Sequence, residues 1–560
     1  MDIVKVPLNQ ARSGINHFFS GKEPWQIVTV TTSSVLFLSW FYSFVFHDDE
    51  SLLDRGKRTF FALMKHIPSI RKELESTKKE VLEAFENEQW ERTKSLSYLR
   101  VLPKQGLKNE QIIRLVEENL NLGHYNWKEG HVSGVVYYCS TEWQQLITKV
   151  YEKTFLTNPL HSDIFPGVCK IETEIIQIVA NLFHGTEDAC GSVTSGGTES
   201  ILMAIKTWRD YMRKTRGIKK PEMVLPRTIH SAFDKAAQYF CIKVKYIPVD
   251  PNTFKVDLKA MERAISKNTI MLGGSVPNFP YGTMDDIKAI SELGLKYDIP
   301  VHVDSCLGGF LTVFMDQAGY DLPVSDFRLP GVCSISADTH KYGFTPKGSS
   351  VVLYKDKKYR HYQYTVTTDW PGGVYGSPTV SGSRSGANIA TCWAALLHFG
   401  SEGYIQATKD IIQTARYIES ELRKIDGLYI FGEPVTSVIA FGSKVFEIYR
   451  LATDLGKRGW NLNALQFPSG VHFAITHVHT QPGVADRFLK DVKAITAKLM
   501  EKPEKPTEGV LAYYGAAQTI PDRSIVGEFI NYYIDAMYYI PDEKKQKTFL
   551  DSNGINSELN

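Results

Sequence analysis

The sequence predicts an α/β protein whose main sheet is mostly parallel and covered by helices on both faces. Three observations carry that expectation. Between about residues 185 and 355, short β-rich runs alternate with amphipathic helical runs. The strand runs are 191–194, 223–225, 242–247, 270–273, 301–304, 333–336 and 350–354; helical stretches at 200–212, 231–240 and 285–297 lie between several of them. The composition, 43% hydrophobic and 22% charged, is globular rather than disordered. In such sheets ligands collect at the C-terminal strand ends, so residues just past the strands are the first candidates for chemistry.

At 560 residues the chain is too long for one ordinary core. Residues 1–24 form an N-terminal tail. Residues 25–46 contain no charged residue and include the apolar run Val35-Leu36-Phe37-Leu38-Ser39-Trp40-Phe41-Tyr42. A helix of that length spans about 33 Å, enough to cross the hydrocarbon of a bilayer. A single-pass anchor is therefore expected. A cleaved signal peptide has a shorter apolar region and a small-residue cleavage site, which is not found here; a buried helix is the other alternative. Lys5, Arg12 and Lys22 precede the span, and Arg55, Lys57, Arg58 and Lys65 follow it. That bias weakly favours a cytosolic C-terminal side. Residues 47–120 read as a charged helical linker, 121–389 as the large domain and 390–505 as a smaller α/β domain. The tail 506–560 follows a Pro/Lys/Glu-rich linker and turns aromatic again, so part of it is expected to pack.

Lysine plus arginine number 64 against 62 acidic residues, so no basic excess points to nucleic acid. Seven scattered cysteines with no C-x-x-C pair argue against a disulfide framework or a zinc site and fit a reducing compartment. No metal centre is expected.

Three motifs stand at strand ends. Ser195-Gly196-Gly197-Thr198-Glu199-Ser200 opens a helix. Glycines let backbone approach an anion, and a helix N-terminus offers free N–H groups and partial positive charge. This is a phosphate cradle without Walker spacing; a Gly-rich turn with a hydroxyl cap is the bland alternative. In His302-Val303-Asp304-Ser305 an apolar strand ends on a carboxylate, which either faces the ligand crevice or closes an Asx turn. In Asp338-Thr339-His340-Lys341-Tyr342-Gly343 a lysine sits just past a strand. A lysine whose pKa is depressed forms Schiff bases with carbonyl cofactors, although most single lysines simply face solvent. Together the three motifs supply an amine, an anion cradle and an acid, which is what a pyridoxal-5′-phosphate (PLP) site requires.

These elements resemble the fold-type-I PLP enzymes of the group II decarboxylase branch. Asn158-Pro159-Leu160-His161-Ser162-Asp163-Ile164-Phe165-Pro166-Gly167 and Thr345-Pro346-Lys347-Gly348 narrow the resemblance to the sphingosine-1-phosphate lyases, over about residues 120–500 and including the anchor. The resemblance implies that Lys341 holds the cofactor covalently and Asp304 pairs with its ring nitrogen. It further implies that His230 stacks on the ring, and that Gly197, Thr198 and His340 hold the cofactor phosphate with Ser383 from a partner subunit. Tyr137, Asn158, His161, Tyr281 and Lys347 would contact the substrate phosphate and headgroup, and Tyr375 would be a further catalytic residue. The implied reaction cleaves the C2–C3 bond of a phosphorylated long-chain base, giving a long-chain aldehyde and phosphoethanolamine. The resemblance also implies a homodimer with shared sites, in the endoplasmic reticulum membrane with the catalytic domain facing the cytosol. The competing readings are an amino-acid decarboxylase of the same fold and a membrane-tethered scaffold without catalysis.

Overall fold

The computed structural model describes residues 5–45, 52–507 and 522–552, together with positions 511, 515, 517, 518 and 520. The chain divides into two compact units: residues 108–519, and residues 1–107 with 520–560.

The larger unit is organised by a seven-stranded sheet. Its strands are β1 (Cys190–Thr194), β2 (Glu222–Pro226), β3 (Lys243–Ile247), β4 (Thr269–Ser275), β5 (Val301–Asp304), β6 (Val332–Ala337) and β7 (Ser350–Tyr354). The spatial order is β1-β7-β6-β5-β4-β2-β3. Each strand coincides, to within two residues at either end, with a run expected from the sequence. Neighbours pair in parallel except for β7, which runs against both β1 and β6. Strands β1, β4, β5 and β7 are buried along their whole length. A sheet buried on both faces cannot alternate apolar with polar residues, so its strands read as continuous apolar runs. The helix Gly197–Arg216 packs on one face, where Trp208 is fully buried and donates its indole N–H to Ser334 Oγ at 2.9 Å. Burying an indole without that acceptor would be costly.

The reversal at β7 places the site. Between β6 and β7 the chain makes one connection, residues 338–349, which carries Asp338, His340, Lys341 and Lys347. It emerges beside the end of β5, since Asp304 and Ser336 are paired in register.

Beyond β7 an exposed hairpin is formed by β8 (Thr365–Thr367) and β9 (Tyr375–Ser377). A helical stretch Gly386–Leu422 follows, broken at Gly400, whose φ of 57° suits a residue without Cβ. A second, antiparallel sheet has the order β10-β11-β13-β12, from β10 (Tyr429–Ile430), β11 (Val438–Gly442), β12 (Asn463–Leu465) and β13 (Gly470–Ala474). The segment 132–134 lies on this sheet, through a bridge from Val132 to Asn461 and a bond from Gly134 N to Ala474 O at 2.9 Å. The second sheet thus draws on residues far upstream of 390.

In the smaller unit the helix Pro68–Thr93 packs against Arg523–Met537 and Glu543–Ser552. Phe85 meets Tyr533 edge-on at 5.5 Å, Trp90 meets Phe549 at 5.6 Å, and Lys65 pairs with Asp522 at 2.7 Å. The aromatic C-terminal tail therefore packs on a helix from the chain's other end.

The expected span 25–46 falls on the helix Pro24–Val45, with Phe46 outside the described residues. Among the described residues no helix is long and apolar enough to cross a membrane. Thr29, Thr31, Thr32, Ser33 and Ser34 dilute the first half of this helix, while Val35, Leu36, Phe37, Leu38 and Trp40 are exposed.

Candidate active site

The site is built from three strand ends. After β1 the chain turns through Ser195 and Gly196 into the helix at Gly197. Gly196 has φ 156°, a conformation side chains disfavour. A Cβ on Gly197 would lie 2.6 and 2.7 Å from the Asp338 carboxylate oxygens and 2.9 Å from Cys306 Sγ, so only glycine fits. Thr198, on the first turn, is exposed and free to meet a ligand.

At the end of β5, Asp304 is 5% exposed and accepts from Cys306 N at 3.1 Å. The carboxylate thus closes an Asx turn while it sits at the crevice.

The β6–β7 connection holds the densest charge. Lys341 Nζ lies 2.8 Å from Asp338 Oδ2, and His340 Nε2 lies 3.7 Å from the same oxygen. The side chains of Lys341 and Asp338 are 19% and 3% exposed. Burial opposes the Lys341 ammonium, but the Asp338 carboxylate, joined by Tyr137 and Cys306, outweighs it and the pKa is raised. Burial likewise disfavours the Asp338 carboxylate, yet Lys341 and His340 hold its pKa below the usual value. His340 donates from Nδ1 to Ser349 O at 2.6 Å, which directs Nε2 toward the cradle. Burial lowers its pKa against the pull of Asp338.

Lys347 returns to this cluster, with its ammonium 4.7 Å from the ring centroid of Tyr137. The residue reaches the surface, but its charged end rests on an aromatic face. That desolvation, and then the charge of Lys341, bring its pKa down to about 8. Tyr137 is buried and its pKa is pushed up to about 12, so it is a neutral donor at physiological pH.

His230 is half-buried. Its Nδ1 accepts from Ala232 N at 3.1 Å, which leaves Nε2 as the protonated nitrogen of the neutral ring.

Five expected residues lie elsewhere. Asn158 Nδ2 donates to Ser383 Oγ at 3.0 Å within the same chain, and Asn158 Oδ1 accepts from Arg384 N at 3.2 Å. Tyr375 belongs to the same loop cluster, since a Cβ on Gly382 would lie 2.5 Å from its hydroxyl. His161 is exposed in the turn that follows Asn158. Tyr281 is separate: it is 4% exposed, packs on Phe254 and Phe431, and donates its hydroxyl to Phe467 O at 3.1 Å. Its hydroxyl is committed to the chain's own backbone, so substrate contact would require breaking that bond.

The loop cluster is strapped to the cradle by residues that sequence reasoning missed. Glu199 accepts from Ser195 N at 2.7 Å with one oxygen and from Val380 N at 3.0 Å with the other. Arg384 forms a two-pronged pair with Glu172, and Glu172 also accepts from Val193 N at 3.3 Å. Lys206 Nζ donates to the carbonyls of Tyr362 and Tyr364 at 2.7 and 2.9 Å. Glu199 stood inside the quoted Gly-rich motif, which was the only available signal; the partners lie 156 to 212 residues away.

The residues fit PLP. A bare helix N-terminus beside His340 suits a phosphate, Lys341 supplies a buried amine, and Asp304 supplies a carboxylate at the adjacent strand end. Among the described residues Asp338 Oδ1 and, at the end of β4, Ser275 Oγ are buried without a close hydrogen-bond partner, polar atoms left open around the strand ends.

Residues 96–444 match the pyridoxal-dependent decarboxylase conserved domain. The chain is 55% identical to the sphingosine-1-phosphate lyase of Drosophila melanogaster over 537 residues, covering 96% of this chain and 98% of that one. It is 45% identical to sphingosine-1-phosphate lyase 1 of Mus musculus, covering 96% and 94%. The solved sphingosine-1-phosphate lyase of Burkholderia pseudomallei superimposes with a TM-score of 0.71 at 40% identity, over 73% of this chain and 94% of that one. Cradle, lysine hairpin and near full-length likeness agree, and the chain belongs to the sphingosine-1-phosphate lyase family of PLP-dependent enzymes.

Proposed function

We propose that this protein is a PLP-dependent lyase that cleaves the C2–C3 bond of sphingosine 1-phosphate and related phosphorylated long-chain bases, releasing a long-chain aldehyde and phosphoethanolamine. The observation that carries the reading is the second cationic group, Lys347 over Tyr137, a few residues beyond the Lys341 hairpin. A decarboxylase of the same fold needs Lys341, Asp304 and His230 but no site for a second phosphate.

When bound, PLP supplies the sink for the electron pair left on C2. The chain's residues do the rest. Gly197 and Thr198 offer N–H and hydroxyl donors to the cofactor phosphate, and His340 adds a third donor when its ring is protonated. Asp304 keeps the ring nitrogen protonated, and His230 covers the ring. Lys347 and Tyr137 hold the substrate phosphate, which needs charge-assisted donors in place of its water, and Asn158 and His161, which share the loop cluster of Ser383, reach it from the second copy. Lys341, once displaced by the substrate amine, is placed to return a proton to C2. His161 and Tyr375 are the groups able to take the proton of the C3 hydroxyl, since a released Lys341 is already protonated.

Two further parts of the reading concern assembly and place. The helix Pro24–Val45 tethers the chain to the endoplasmic reticulum membrane, with the catalytic unit on the cytosolic side. Its exposed apolar residues and lack of charge support this. The protein acts as a homodimer in which Ser383 and Tyr375 serve the site of a second copy. Their position in an exposed loop and hairpin, with Ser383 bonded to Asn158 and Tyr375 packed against Gly382 rather than either reaching Lys341, supports this. Incubating purified protein with a phosphorylated sphingoid base must yield aldehyde and phosphoethanolamine in equal amounts; carbon dioxide from an amino acid instead would favour the decarboxylase. Protease treatment of sealed microsomes tests the topology, since a protected catalytic unit would reverse it.

A further inference from the structure

Asp338 has no part in the scheme above, yet it is the most constrained acid in the site. Its side chain is 3% exposed. One oxygen, Oδ2, faces an ammonium and an imidazole, with Lys341 Nζ at 2.8 Å and His340 Nε2 at 3.7 Å. The other, Oδ1, is buried and has no close hydrogen-bond partner among the described residues, although the Ser350 hydroxyl adds some stabilisation to the carboxylate. The whole carboxylate is pressed against the bare backbone of Gly197, where a Cβ would come within 2.7 Å of both oxygens. A buried charge in such a place is unfavourable unless paired, so its pairing is a stringent constraint on its neighbours.

We propose that Asp338 is a positioning residue that keeps Lys341 as an ammonium whenever the lysine is not bonded to the cofactor, and that its charge passes to His340 when the bond forms. The inference rests on the PLP reading of the site. Bond formation requires the neutral amine. Its nitrogen adds to the cofactor aldehyde carbon, the carbonyl oxygen leaves as water, and the ammonium's extra proton goes to solvent. Lys341 then no longer offers Asp338 a full ammonium charge, and His340, already turned toward Oδ2 by its Nδ1–H bond to Ser349 O and freed of the repulsion of the Lys341 charge, is the nearby group that takes up a proton in its place. A protonated His340 is also the form that donates to a phosphate. When substrate amine displaces Lys341, the pairing reverses. The released lysine is proton-loaded beside the carbon that must be protonated, and as an ammonium it is a poor nucleophile for premature return.

The other groups facing Lys341 do not duplicate this role. Tyr137 is a buried phenol, Cys306 a buried thiol whose pKa burial raises, and Lys347 a second cation that opposes the charge on Lys341. Asp304 is engaged with the Cys306 backbone at the neighbouring strand end.

The test uses full-length protein stripped of cofactor and follows PLP capture by absorbance as a function of pH. If Lys341 is held as an ammonium, the wild-type capture rate rises about tenfold per pH unit from pH 7.5 through pH 9, as the free-amine fraction does. Asp338→Asn moves the midpoint of that rise down by at least one unit, making capture at pH 8 about tenfold or more faster. The captured cofactor should also leave faster, since His340 has lost its carboxylate. A merely structural lesion would lower the rate without moving the midpoint. A wild-type plateau below pH 9, or an Asp338→Asn profile with an unchanged midpoint, overturns the proposal. If the variant does not fold, the wild-type profile decides alone. Failure of the wild type to capture PLP at any pH would instead refute the cofactor reading on which the proposal rests.

Discussion

The ammonium of Lys347 stands 4.7 Å from the centroid of the Tyr137 ring. A cation over an aromatic face keeps its charge while losing part of its water, which prepares it to bind an anion. Removing it should cost one charge-assisted hydrogen bond, about 1.5–3 kcal/mol, or about 10- to 150-fold in kcat/KM for Lys347→Ala. PLP content should stay normal. Comparing phosphorylated with unphosphorylated sphingoid base checks the assignment: if wild type and variant prefer the phosphorylated base by the same factor, Lys347 does not read the phosphate.

The same residue predicts a pH limb. Its pKa is lowered to about 8, so the free enzyme loses this positive charge as pH rises through that value. Because kcat/KM reports the free enzyme, it should fall above about pH 8 for the phosphorylated substrate. Lys347→Arg keeps its charge at those pH values and should flatten the limb. A limb that persists unchanged in the arginine variant belongs to another group.

Lys341→Ala should fold and bind PLP without a covalent link, but turn over at least several orders of magnitude more slowly. Borohydride reduction followed by mass spectrometry should label wild type on Lys341 and leave the variant unlabelled. Near wild-type turnover by the variant would refute the covalent role.

Asp304→Asn should retain the Asx turn, because an amide oxygen still accepts from Cys306 N. The amide cannot hold the ring-nitrogen proton, so the rate should fall by orders of magnitude with stability nearly unchanged. Thermal unfolding and kcat measured side by side separate the two effects. A nearly normal kcat would mean that another acid serves the ring.

Shared sites predict complementation. Ser383→Asp would set a carboxylate against the cofactor phosphate, and Lys341→Ala disables the site of its own chain. Each should be inactive alone, while refolding the two together should restore turnover in sites that combine the intact Lys341 of one chain with the intact Ser383 of the other. No recovery in verified mixed dimers would place Ser383 in its own chain's site.

The main sheet was legible because each strand is a short apolar run bounded by turn residues, a signal that pairing does not alter. The direction of β7 was not legible, since Ser350–Tyr354 reads the same in either orientation. The three motifs at strand ends were legible because Gly197, Asp304 and Lys341 depend on local chain direction. What escaped is non-local. Glu172 meets Arg384 across 212 residues, and nothing near either residue announces the other. Tyr281 was expected at the substrate on family likeness, but whether a tyrosine hydroxyl faces a crevice or a backbone carbonyl is decided by packing against Phe254 and Phe431. Asp338 lay inside a quoted motif and drew no role, because only the register of the hairpin sets its carboxylate under Lys341.

The union of the chain's two ends in the smaller unit has a consequence for synthesis. Pro68–Thr93 leaves the ribosome early, but the helices that cover Phe85 and Trp90 lie beyond residue 522. At about 5–20 residues per second the wait is on the order of a minute or less. During that interval the aromatic face has none of its final neighbours, whereas the catalytic unit, encoded entirely in between, can complete its own core. Chains stalled once residue 519 has cleared the ribosome should therefore already bind PLP while recruiting chaperones to residues 68–93, and release from that chaperone should coincide with emergence of residues 523–552.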